Sequence, residues 1–232
     1  MEIPRWQIPR VPDPWAWEAI PPLPPLVRSE DGTPAEQATT VRLAWDESAF
    51  HVRFDCVDHH AWGTLTRRDD PLWQEEVVEV FLAPGEADPV DYLEFEVSPR
   101  GVLFDARIHN PTSLRADLRA DVEWDCPGIQ WEAGTGADRQ DWWAVLTLPW
   151  SGLLDGPPPA VWRANFYRID RPAGEPPEFS AWSPTLVRPA DFHKPARFGV
   201  LESGPHPLGP PLPSPTQPPG EGEACTRGGE GR

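Results

Sequence analysis

The sequence predicts an all-β protein built as an antiparallel β-sandwich, and three observations carry that prediction. Apolar and polar residues alternate with period two in several runs. The clearest is FHVRFDCVD, with Phe50, Val52, Phe54 and Cys56 on one face and His51, Arg53 and Asp55 on the other. These runs are short and are separated by Gly, Pro and Asp turns. Of the 232 residues, 33 are proline, which lacks a backbone donor and clashes with the preceding helical turn, so long helices are disfavoured. The length suits one sizeable domain with extensions.

The elements follow in chain order. Residues 1–34 are punctuated by proline, as in IPRVPDPWAWEAIPPLPPL, and cannot hold a helix or a central strand for long. Trp6, Trp15 and Trp17 give this segment apolar faces, so an ordered arm or edge strand packed on the domain is expected. VRLAWD and the Phe50 strand form a hairpin across a short ESA connection, and a charged loop runs over residues 59–74. In VVEVFLAP, Val78, Val80 and Leu82 face the core, while Val77, Glu79 and Phe81 take the other face. After the GEADPVD turn, YLEFEVS places Leu93, Phe95 and Val97 on one side and Tyr92, Glu94, Glu96 and Ser98 on the other. PRG turns the chain into VLFDARI. LRADLRADV, from Leu114, suits one helical turn. IQWEAGT, DWWAVLTLP, WRANFYRID and FGVLE complete about nine or ten strands, an immunoglobulin-like or jelly-roll-like sandwich over residues 35–202. Residues 203–232 are rich in Pro and Gly and poor in apolar side chains. They cannot offset chain entropy by burial, so a disordered tail is expected.

The formal net charge is -17. Nucleic-acid binding needs cations to displace counterions from phosphates, so nucleic acid is not an expected partner, and neither is an anionic membrane. No run approaches the roughly 18 apolar residues of a spanning helix. MEIPRWQIPR lacks the apolar core and cleavage site of a secretory signal. The chain as written is therefore expected in the cytoplasm, or outside the cell if translation starts upstream. Cys56, Cys126 and Cys225 match no zinc spacing. Cys56 reads as a core thiol, and a pairing of Cys56 with Cys126 stays open.

Glu79, Glu94 and Glu96 fall on one face of neighbouring strands, and two readings stand. One is a solvated outer face, with cross-strand pairs to Arg107, Arg163 or Arg168. The other is a shallow acidic groove edged by Trp73, which could stack on a sugar ring while carboxylates accept hydrogen bonds from its hydroxyls. Phosphate loops, HExxH and an ordered Ser–His–Asp set are all lacking, so no catalytic residues are expected. Asp58, Asp69 and Asp70 could hold calcium through carboxylate oxygens. His59 and His60 are adjacent on an extended chain and point apart, and a solvated loop is the plainer reading. Haem ligation by His and Met is disfavoured by the single methionine at position 1, whereas ligation by two His stays open.

PLWQEEVVEVFL resembles the W-x-x-(D/E)-x-V-E-(I/V)-F motif of family 9 carbohydrate-binding modules and their relatives in the wider DOMON-like superfamily. The resemblance continues through YLEFEVSPRG, WRANFYRID and SAWSP and closes on DFHKPARFG. It implies a β-sandwich with structural calcium, in which two aromatic side chains clamp a sugar and polar groups bind its hydroxyls. By position, Trp73 matches the first clamp aromatic and Glu79 the hydroxyl-binding carboxylate. Phe192 stands where the second aromatic is usually Trp, Glu96 where the family has a basic residue, and Tyr167 where it has an amide. Non-catalytic binding of a glycan or polyol is the leading expectation, with a small sugar as partner. A structural or protein-interaction sandwich that has lost the sugar site is the alternative, and a haem or redox domain is the third.

Overall fold

A computed structural model describes residues 2–12, 16–138, 140–172 and 174–203. Trp15 and the expected tail beyond Ser203 lie outside the described residues.

Two sheets face each other. The narrow sheet has the order β3 (Thr39–Trp45), β4 (Ala49–Val57), β10 (Asp141–Pro149), β9 (Gln130–Thr135), antiparallel throughout. The broad sheet runs β1 (Arg5–Ile8), β13 (Gly199–Ser203), β11 (Val161–Asp170), β5 (Val77–Pro84), β6 (Asp91–Val97), β7 (Leu103–His109), β8 (Arg119–Asp121). β11 is long enough to serve two partners along one edge: Val161–Ala164 pairs with β13, and Tyr167–Asp170 with β12 (Glu178–Ala181). β12 in turn carries β2 (Val27–Arg28). One helical turn, α1 (Trp150–Leu153), follows β10.

The nine strands named from the sequence all form. β1, β2, β8 and β12 are additional and short, two to four residues each, too short for alternation to register. The segment from Leu114 makes a single turn, with the Asp117 N–H donating to the Leu114 carbonyl at 3.0 Å, and then, as β8, adds RAD to the free edge of β7, with Arg107 opposite Asp121, because an open edge offers backbone partners.

The space between the sheets is filled by Val78, Val80 and Leu82 of β5, Phe95 and Val97 of β6, Val52 and Phe54 of β4, and Leu146 and Leu148 of β10. Cys56 and Cys126 are both buried here and both free, which closes the question of their pairing. Burial pushes each thiol up to about 12, so neither is a reactive thiolate. The N-terminal segment threads past the sandwich. Ile8, Leu23 and Leu26 enter the same core, the Ile8 carbonyl accepts the Trp45 indole N–H at 3.1 Å, and the Leu23 N–H donates to the Val41 carbonyl at 2.8 Å.

The outer face of the broad sheet corrects the expectation of a solvated acidic face. Val77, Phe81, Tyr92, Phe104 and Tyr167 project there and meet Leu72, Phe192 and Phe198 from the connecting segments. Those segments fold back over the sheet, so Glu79, Glu94 and Glu96 are only 2%, 6% and 1% exposed. The arginines expected to pair with them lie elsewhere. Arg168 projects between the sheets to Asp58 at 2.6 Å. Arg107 sits over Trp124 at 4.7 Å. Arg163 reaches Asp88 at 2.6 Å and the Phe198 carbonyl at 2.9 Å.

Candidate functional site

The strand register assembles the site. Tyr167 pairs with Glu79, Glu79 with Glu96, and Glu96 with Phe104, one row across β11, β5, β6 and β7. In the next row Phe81 pairs with Glu94 and Glu94 with Ala106. Side chains of directly paired residues project from the same face, so three carboxyl groups stand together at the centre of the broad sheet. They form the floor of a pocket of about 280 Å³.

Aromatic residues wall the pocket in two pairs. Trp73 rides on a 3-10 turn, Leu72–Gln74, whose Leu72 is anchored in the outer apolar layer. Its ring is 42% exposed and meets the edge of Phe104 with centroids 5.3 Å apart. On the other side Phe192 meets Phe179 edge-on at 5.9 Å. Arg115, Arg171 and His193 complete the charged and titratable lining.

Of the residues singled out in the sequence, Trp73, Glu79, Glu96 and Phe192 line this one pocket. Tyr167 does not. It lies behind Phe192, stacked on it at 4.1 Å and 14°, and its hydroxyl donates to the Phe192 carbonyl at 3.0 Å. It therefore positions a wall and does not contact the cavity. No described residue of the first 34 lines the pocket.

The floor is electrostatically unusual. Carboxylate oxygens of Glu79, Glu94 and Glu96 lie within 4.8 Å of one another. Burial, and then the charge of Glu94, lifts Glu79 well above the ordinary range. Burial lifts Glu94 to about 7. Glu96 is raised well above 4.5 by burial and by both neighbours. Both Glu96 oxygens are buried without a well-formed hydrogen bond, next to the Glu94 carboxyl and the Trp73 backbone. His193 is held neutral, pushed down to about 3 by burial and by Arg115, and its Nδ1 is hydrogen-bonded to the Tyr92 hydroxyl at 2.8 Å.

The loop carboxylates considered for calcium divide between two other groups. Asp58 joins Glu76 and Asp170, and Asp69 joins Asp105 and Asp125. Asp70 belongs to neither and accepts the backbone N–H groups of Thr66 and Arg67. His59 and His60 are exposed and outside both groups.

Sequence reasoning missed Phe104, Phe179, Arg115 and Arg171; it placed Glu94 in the acidic groove beside Trp73 but not among the residues matched to the family's sugar clamp. Phe104 was within reach: the tight SPRG turn fixes the β6–β7 register and sets it opposite Glu96. Phe179 sits on a strand of four residues, and Arg115 in an irregular segment between β7 and β8, so neither carries a periodic signal.

Comparison with known proteins bears on this geometry. Residues 31–203 match the sequence profile of carbohydrate-binding family 9. An extracellular protein of Arthroderma benhamiae is 30% identical over 141 residues, 56% of this chain, and the chain spans 62% of the length of that curated relative. A solved structure from Bacteroides uniformis, assigned to carbohydrate binding, superposes with a TM-score of 0.68 at 19% identity, covering 88% of this chain and 100% of the other. A family 9 carbohydrate-binding module from Caldicellulosiruptor kristjanssonii in complex with glucose gives 0.61 at 12% identity over 90% of this chain and 100% of the other. The same organism's module with cellotriose gives 0.59 at 13% identity, covering 90% and 98%. At these identities the structures speak for the fold alone; the matched profile, which takes in most of the chain, goes further, and the chain belongs to carbohydrate-binding family 9, a family of non-catalytic modules.

Proposed function

We propose that this protein binds a carbohydrate unit, non-catalytically, in the pocket between Trp73 and Phe192. The observation that carries this reading is the pairing of an exposed indole with buried carboxyl groups in one small cavity. Trp73 offers a flat apolar face to a sugar ring. Glu79 and Glu94 offer oxygens to its hydroxyls, and hydrogen bonds made there count for more because water is excluded. Family membership and the glucose and cellotriose complexes of structurally similar modules support the same ligand class.

Titration with monosaccharides and oligosaccharides, followed by tryptophan fluorescence, tests the reading. Saturable quenching is expected, and Trp73→Ala should weaken binding about tenfold or more with little change in melting temperature, because the ring is substantially exposed. A flat titration through millimolar concentrations across the whole panel rejects it.

A second reading, a sandwich whose pocket is structural, is favoured by one observation. Phe192 is only 6% exposed and is packed between Tyr167 and Phe179. On that reading Trp73→Ala lowers the melting temperature and no saccharide raises it.

A further inference from the structure

Three groups of three carboxyl side chains occur among the described residues, and two share a construction. Asp58, Glu76 and Asp170 gather at Arg168, whose Nη2 lies 2.6 Å from Asp58 and 3.6 Å from Asp170. Asp69, Asp105 and Asp125 gather at Arg68, which reaches Asp105 at 2.6 Å through Nη2 and Asp125 at 2.7 Å through Nε. A guanidinium is the expected partner, since carboxylates crowded away from water repel unless a cation sits among them.

The third group, Glu79, Glu94 and Glu96, has no such partner: no Arg or Lys forms an ion pair with it among the described residues. Arg115 lines the pocket and acts on Glu79 and Glu94 through space, but its ion pair, at 3.2 Å, is with Asp191; Arg171 donates to the Trp73 carbonyl at 2.9 Å. It is also the group that forms the floor of the aromatic pocket, and there both Glu96 oxygens are buried without a well-formed hydrogen bond, the Trp73 backbone and the Glu94 carboxyl being their polar neighbours. Where this fold crowds three acids elsewhere it supplies the positive charge itself. Here the side of the cluster away from the sheet faces the cavity.

The walls decide what kind of cation fits. A divalent metal is satisfied by six to eight oxygens and gains nothing from Trp73, Phe104, Phe179 and Phe192. An ammonium group on a sugar ring uses both halves of the pocket. The crowded carboxyls hold protons in the free protein; an ammonium favours their ionised form, releasing those protons to solvent, and its three donors then meet the carboxylates in charge-assisted hydrogen bonds, while the ring can stack on Trp73 and the aromatic faces attract the cation. The volume, about 280 Å³, sits near the lower end for small-molecule sites and suits a single ring.

We propose that the pocket selects a sugar bearing a protonated amino group, with the ammonium seated on Glu79, Glu94 and Glu96 and the ring against Trp73. This rests on the carbohydrate-binding reading and names its ligand class.

Calorimetric titration of the full chain at pH 7 and fixed salt, with D-glucosamine, D-glucose, N-acetyl-D-glucosamine and calcium chloride, tests it. Glucosamine is expected to bind about tenfold or more tighter than glucose or the acetylated sugar, which lacks the charge. In Glu96→Gln that preference should shrink to roughly threefold or less; melting curves verify that the variant is folded. Glucose binding as tightly as glucosamine overturns the amine selectivity and leaves carbohydrate binding standing, whereas silence from all three sugars overturns both. A glucosamine preference that survives both Glu96→Gln and Glu79→Gln places the amine elsewhere and overturns the proposal. So does calcium binding to the triad more tightly than glucosamine and competing with it.

Discussion

Glu94 shows how strongly the pocket floor acts on a single side chain. In the unfolded chain its carboxyl titrates near the ordinary 4.5, and in the folded protein burial holds it at about 7. Between those values the unfolded state releases a proton that the folded state retains, so this group's contribution to stability falls as pH rises from 4.5 through 7. Glu94→Gln removes the penalty and should stabilise the protein at pH 8 by roughly 1–3 kcal/mol. The advantage should fade as pH falls toward 4.5, which urea unfolding at both pH values would measure. His193 has the opposite sign. Held at about 3 against an ordinary 6.5, it costs stability as pH falls through that interval, because only the unfolded chain takes up the proton. Trp73 and Glu79 were legible at this scale because one short motif carries both. Arg115 and Phe179 were not, since they reach the pocket from distant segments with no pattern of their own.

Among the elements, the β6–β7 hairpin has the largest influence on the site. Ser98 and Val102 close it, the Gly101 N–H donates to the Ser98 carbonyl at 2.9 Å, and Gly101 takes φ of +76°. An L side chain there is disfavoured by about 1–2 kcal/mol, although a Cβ would meet only the Ala133 methyl, in ordinary contact at 4.0 Å. Gly101→Ala should therefore destabilise by about that amount and loosen the pairing that sets Phe104 beside Glu96, seen as reduced stability in urea and weaker sugar binding. β11 carries a different burden. Its Arg168 is buried between the sheets against Asp58, Asp170 and the Val57 carbonyl. Arg168→Met leaves those acids without their cation and should cost about 3–5 kcal/mol in the same measurement. The long strands were readable from period two alone. For β1 and β2 only an arm or edge strand somewhere in residues 1–34 was readable, and β8 and β12 were not, because what forms them is an available neighbouring edge and their own sequences carry little signal.

For the molecule as a whole, the broad sheet is covered twice: on one side by the narrow sheet, on the other by a layer built from connecting segments. Alternation identified the first covering correctly, with Val78, Val80 and Leu82 turned inward. It misjudged the second, because a glutamate in a strand reads as solvent-facing and nothing local reveals that residues 59–76 and 179–198 return to bury it. The N-terminal segment contributes at this scale too. β1 lies parallel to β13, with Arg5 opposite Val200 and Ile8 opposite Ser203, so the last strand of the domain is paired along both sides. A variant lacking residues 1–10 would leave Gly199–Ser203 with a row of unpaired amides and carbonyls, a template for strand exchange between molecules. Such a variant should elute as concentration-dependent multimers on size-exclusion chromatography while the full chain does not. If that outcome holds, a few residues far from the Trp73 pocket act as a guard against self-association by covering the edge of the closing strand.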